Sequence, residues 1–95
     1  MLILITYDVS TETPGGRKRL RQVAKACQDY GQRVQNSVFE CEMDSTVLLK
    51  VKDRLLKIIN NESDSLRFYN LGTDRKKAEH YGVKPSFDVL GPLIV

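Results

Sequence analysis

The chain opens on Leu2-Ile3-Leu4-Ile5-Thr6-Tyr7-Asp8-Val9, an almost wholly apolar run of strand-forming residues. A short, unbroken apolar run of this kind predicts a buried strand, and whatever fold the chain adopts must cover it. One residue departs from the pattern. A carboxylate at the end of such a strand is costly unless water, a hydrogen-bond donor or a cation meets it. No other acidic residue is placed this way in the sequence, so Asp8 is the first candidate for chemistry. The structural alternative is an Asx-type turn that closes the strand with Ser10 or Thr11.

With 95 residues the chain is one domain of near-minimal size, burying about 60–65% of the surface its unfolded form exposes. So thin a core makes association with a second copy an expectation. No apolar run approaches the roughly 18 residues that span a membrane, and the opening run lacks the basic flank and small-residue cleavage site of a signal peptide. Cys27 and Cys41 are too few for a disulfide framework and lack metal-ligand spacing. A cytoplasmic protein with reduced thiols and no membrane partner is the simplest expectation.

The net charge of +3 is modest, but its distribution is uneven. Arg17, Lys18, Arg19, Arg21, Lys25 and Arg33 face a single acid, Asp29, between residues 15 and 35, and Arg75-Lys76-Lys77 forms a second cluster. Such patches suit a polyanion, most commonly nucleic acid; a solvated helix face is the plain alternative.

The remaining pattern alternates strands and helices. A turn-rich loop spans Thr11 to Gly16 and a helix follows over Gly16 to Tyr30, with Leu20, Val23, Ala24, Cys27 and Tyr30 as its apolar stripe. Arg17, Arg21 and Lys25 share its exposed face at i, i+4 and i+8. Arg33 to Met43 reads as a long second strand segment, bent or bulged near Asn36-Ser37 so that it supplies two strands. Asp44 or Ser45 caps a second helix whose inner side carries Val47, Leu48, Val51, Leu55, Ile58 and Ile59. Asn60 to Asp64 is a loop, and Leu66 to Leu71 is a strand closed by Gly72. The order predicts an α+β fold: a ferredoxin-like β-α-β-β-α-β sandwich, with an antiparallel sheet under two helices. One domain covers 1–95, about 1–72 being core. About 73–95 reads as a loop containing His80, then strand-like Phe87 to Leu90 and Leu93 to Val95, an edge that pairs across a homodimer.

Three segments together resemble the small CRISPR-associated "Cas-two" proteins of spacer acquisition: Leu4-Ile5-Thr6-Tyr7-Asp8-Val9, Lys18-Arg19-Leu20-Arg21-Gln22-Val23-Ala24-Lys25, and Gln32-Arg33-Val34-Gln35-Asn36-Ser37-Val38-Phe39-Glu40. Gly31 to Glu40 most resembles the subgroup found with type I-C systems. The resemblance implies a ferredoxin-like homodimer in which the two Asp8 carboxylates face each other across a cleft. It further implies Mg²⁺-dependent endonuclease activity, with Mn²⁺ as the alternative ion, on duplex DNA or single-stranded RNA. A bridging role between copies of the integrase partner "Cas-one" is part of the same implication. Asp8 matches the family's metal-site aspartate, while Tyr7, Arg17, Arg19, Arg33 and Phe39 fall near its other functional positions.

For phosphodiester cleavage, Mg²⁺ bound through one or two carboxylates supplies an activated water and neutralises developing charge. One Asp per chain, doubled by symmetry, meets that count. Ser10 could orient a water or phosphate beside it. Phe39, alternating with Cys41 and Met43, reads first as core rather than as a stacking platform, and Cys27 as an inert core thiol. Two rival readings share the element order or the strand-Asp start. An RNA-recognition module wants paired aromatics on one sheet face, which the adjacent Phe68 and Tyr69 cannot supply. A VapD-like toxin ribonuclease, a small-molecule-sensing ferredoxin-like dimer, which the basic helix face disfavours, and a purely architectural dimer are the remaining alternatives.

Overall fold

A computed structural model describes residues 1–72 and 78–82. The elements run β1 (Leu2–Asp8), α1 (Pro14–Gln28), β2 (Gln32–Gln35), β3 (Val38–Glu42), α2 (Ser45–Ile58), β4 (Ser65–Asn70) and β5 (Ala78–Gly82). All strand pairs are antiparallel, in the order β2-β3-β1-β4-β5. The first six elements make the expected β-α-β-β-α-β ferredoxin-like sandwich. The apolar opening run is the middle strand, paired with β3 on one side and β4 on the other. That position explains its composition, since a central strand has no wet edge.

Alternation along β1 sends Ile3, Ile5, Tyr7 and Val9 into the core, where they meet Phe39, Cys41 and Met43, Leu66 and Phe68, and Val23, Ala26, Cys27, Val51 and Leu55 from the helices. Both helices begin where side-chain chemistry dictates. Thr13 Oγ1 accepts from Gly16 N at 3.1 Å, with Pro14 opening α1, and Asp44 Oδ1 accepts from Val47 N at 2.8 Å at the start of α2. The bend expected at Asn36-Ser37 is the β2–β3 turn. The register slips between Arg33 and Gln35, so Val34 stands out from an exposed edge strand as a bulge.

Two differences from the sequence reading follow from packing. The buried line of α1 runs through Gly16, Val23, Ala26 and Cys27, with Leu20, Ala24 and Tyr30 only half-buried. The inward face is therefore rotated toward Arg19, four residues before Val23. The second difference is β5. Ala78–Gly82, around His80, forms a strand paired with β4 where composition suggests a charged loop. The strand-like segments at 87–90 and 93–95, and their expected pairing across a dimer, lie outside the described residues.

Candidate active site

Asp8 closes β1 with its side chain exposed, between buried Tyr7 and Val9. Since its neighbours point into the helical core, Asp8 lies on the opposite face of the sheet, with Leu4 and Thr6. The desolvation expected of a carboxylate on so apolar a strand is therefore avoided within one chain. Its register partner on β4 is Ser65, and buried Arg67, paired with Thr6, sits diagonally across the same face. Arg67 Nη1 donates to the Tyr69 hydroxyl at 3.0 Å.

Among the described residues the fully buried acid is Asp64, although it lies in a loop of polar composition. Its carboxylate accepts from Ser10 N at 3.0 Å, Asn60 N at 2.8 Å and Arg19 Nε at 2.8 Å, and from the Ser63 hydroxyl at 3.2 Å. Burial alone would push this carboxyl up. The bonds from Arg19 and from the Asn60 and Ser10 amides outweigh it and hold the carboxyl below the usual aspartate range. Asp64 thus ties together the segment after β1, the flank of α1 and the entry to β4, and fixes where Asp8 stands. Gly16 completes the tie, because a Cβ there would collide with the Ser10 carbonyl oxygen.

The sequence-nominated residues fall into separate places. Arg19 is taken up by Asp64, with a side chain only 21% exposed, and leaves the exposed basic set. Arg17 is exposed, its Nη1 3.5 Å from the Thr11 carbonyl. Lys18, Arg21 and Lys25 line a groove between α1 and α2, joined by Arg54 and Lys57. Exposed Arg33 lies over the Phe39 ring at 5.1 Å. Phe39 is wholly buried and stacks on Tyr7 at 6.2 Å between centroids, so both are internal supports of the sheet. The Tyr7 phenol is raised by burial, then by proximity to Cys27, and its hydroxyl donates to the Asn36 carbonyl at 3.4 Å. Ser10 contributes its backbone amide rather than its hydroxyl.

Among the described residues no group of three or more His, Cys, Asp or Glu side chains could hold a metal ion. Among the described residues Asp8 is the one donor at this position, so a divalent cation fits there if a second carboxylate and waters complete the set. No helix among the described residues is long and apolar enough to cross a membrane.

A family model described as CRISPR associated protein Cas2 matches residues 1–78, which take in every element from β1 to β4. The chain belongs to the CRISPR-associated Cas2 family. It is 63% identical over 95 residues to the "CRISPR-associated endonuclease Cas2" of Halalkalibacterium halodurans, covering 99% of each chain. It is 60% identical over 96 residues to the "CRISPR-associated endoribonuclease Cas2" of Nitratidesulfovibrio vulgaris, covering 100% of this chain and 94% of the relative. The crystal structure of Streptococcus pyogenes Cas2 superposes with a TM-score of 0.71 at 59% identity, over 80% of this chain and 92% of that one. The Cas2 fold is therefore the scaffold on which Asp8 is displayed.

Proposed function

We propose that this Cas2 chain acts as a homodimeric, metal-dependent endonuclease in which the Asp8 carboxylates of two chains share one site. One observation carries the reading: the Asp64 tie delivers Asp8 in the open, at the end of a rigid central strand, on the sheet face away from the helices. A catalytic carboxylate must be held still yet remain accessible, and a buried strand followed by an anchored amide supplies both. Asp8 and its symmetry mate would hold Mg²⁺, or Mn²⁺ in its place. The bound cation supplies an activated water and neutralises charge on the phosphate being cleaved. Bringing two carboxylates together is repulsive without that cation, so the residues themselves favour a metal-held pair. In the cytoplasm such a dimer would also bridge subunits of the "Cas-one" integrase in spacer acquisition.

Relatives carry endonuclease or endoribonuclease in their names, which supports a nuclease, and duplex DNA and single-stranded RNA are the two substrate classes the proposal carries. Matched duplex DNA and single-stranded RNA, with Mg²⁺ or EDTA, test the reading in wild type and Asp8→Ala. It expects cleavage of at least one substrate that EDTA and Asp8→Ala each abolish; cleavage unchanged in Asp8→Ala overturns it. The second reading, an architectural dimer, is favoured by the described residues bringing only one carboxylate per chain to the site. Duplex binding and integrase capture that survive Asp8→Ala, with no cleavage by wild type, would select it.

A further inference from the structure

The groove between α1 and α2 gathers cations that no sequence periodicity brings together. Lys18, Arg21 and Lys25 reach it from α1, Arg54 and Lys57 from α2. Asp29 accepts from both Lys25 Nζ and Arg54 Nη1 at 2.9 Å, and Asp53 pairs with Lys57 at 2.9 Å. Five cations thus meet two carboxylates, an excess of three positive charges. Lys18 and Arg21 make no ion pair among the described residues. The paired ones remain well exposed, Lys25 at 70% and Lys57 at 75%.

We propose that this groove is a phosphate track that takes the sugar-phosphate backbone of a nucleic acid on the helical face, separate from Asp8. Lys18 and Lys25 lie seven residues apart, about 10 Å along a helix. Four successive phosphates of one duplex strand, separated by about three steps of roughly 3.4 Å, rise by about the same distance along the duplex axis. Long exposed lysine and arginine tips suit contacts that position a backbone without reading bases. An acidic protein partner fits less well, because the lining offers Ile58 as its single apolar side chain and no aromatic pocket for an anchor. The inference rests on the reading of this chain as a nucleic-acid-handling protein, and it assigns the groove holding rather than cutting. The helices cover one face of the sheet and Asp8 stands on the other, so one short straight segment cannot occupy both in a single chain.

Fluorescence anisotropy with a short labelled duplex and a single-stranded RNA of equal length, over a range of salt, tests the track. The triple variant Lys18→Ala/Arg21→Ala/Lys57→Ala should bind at least tenfold more weakly. Its log–log salt slope should shrink by about two to three, since each lost phosphate contact removes about 0.9 on a duplex. The charge-keeping variant Lys18→Arg/Arg21→Lys/Lys57→Arg should bind as wild type, which separates lost charge from lost fold. Wild-type affinity and slope in the triple-alanine variant overturn the track. So does tighter wild-type binding of poly-L-glutamate than of either nucleic acid. A Mg²⁺ cleavage assay of Asp8→Asn on the same two substrates keeps the two readings apart. Cleavage lost in Asp8→Asn with normal binding by the triple variant removes the track and leaves the nuclease; weak binding by the triple variant with cleavage intact in Asp8→Asn does the reverse.

Discussion

Arg19 Nε donates to Asp64 Oδ2 at 2.8 Å, joining α1 to the loop before β4 across 45 residues of sequence. The same carboxylate receives the Ser10 amide, two residues beyond Asp8. A contact outside the candidate site therefore sets the position of the residue inside it.

Removing either partner should be expensive. Arg19→Ala leaves a fully buried carboxylate without its cation, and Asp64→Ala leaves two backbone amides and a guanidinium without their acceptor. Each should lower stability by about 3 kcal/mol. Because both act on one network, the double variant should lose markedly less than the sum. Urea unfolding at fixed protein concentration checks this, the concentration being held because a dimer's stability depends on it.

Acid should find the same group. The Asp64 carboxyl is lowered in the folded chain, so between its folded and unfolded values the unfolded state binds more protons. The stability it contributes is complete above the unfolded aspartate value near pH 4 and is lost as pH falls through the folded one. A stability–pH profile should therefore drop below about pH 4 in wild type, and less steeply in Asp64→Asn.

Gly16→Ala should reach the site from a distance. The added methyl would meet the Ser10 carbonyl oxygen, which is backbone and cannot swing aside. Overpacking of this kind costs about 1–3 kcal/mol and shifts the backbone it presses on. Cleavage by the Gly16→Ala variant should fall well beyond what its melting temperature explains, whereas Gly15→Ala, where a Cβ meets only ordinary contacts, should behave as wild type.

Much of the fold was legible because its signals are local. The apolar run of β1, the caps at Thr13 and Asp44, and the polar break at Asn36-Ser37 each act within a few residues. The placement of Phe39 and Cys27 in the core follows from the same periodicity. The Asp64 tie was not legible, because its partners come from three separate segments and a polar loop gives no hint of burial. One signal was present: Arg19 precedes buried Val23 by four residues and buried Ala26 by seven, which puts it on the inward line of α1, away from Lys18 and Arg21. Arg54 and Lys57 were missed because each sits near an acid on α2, and only the packing of two helices turns them toward the α1 cations. Strand β5 was hidden by its charged composition, since an added edge strand is recruited by the pairing that β4 offers.

The two cysteines should be silent. Burial, with Cys41 nearby, pushes the Cys27 thiol up to about 12, and burial followed by Glu40 pushes Cys41 up to about 11. Neither offers appreciable thiolate at neutral pH. Ellman's reagent at pH 8 should find no fast-reacting thiol in the folded protein and two per chain after unfolding.

The central claim is that Asp8 is half of a site completed by a second chain. Equilibrium titration with Mn²⁺ measures it most directly, as bound ions per chain. The account predicts one tight ion for every two chains, lost in Asp8→Asn while the dimer persists. One tight ion per chain, or binding unchanged in Asp8→Asn, would contradict it.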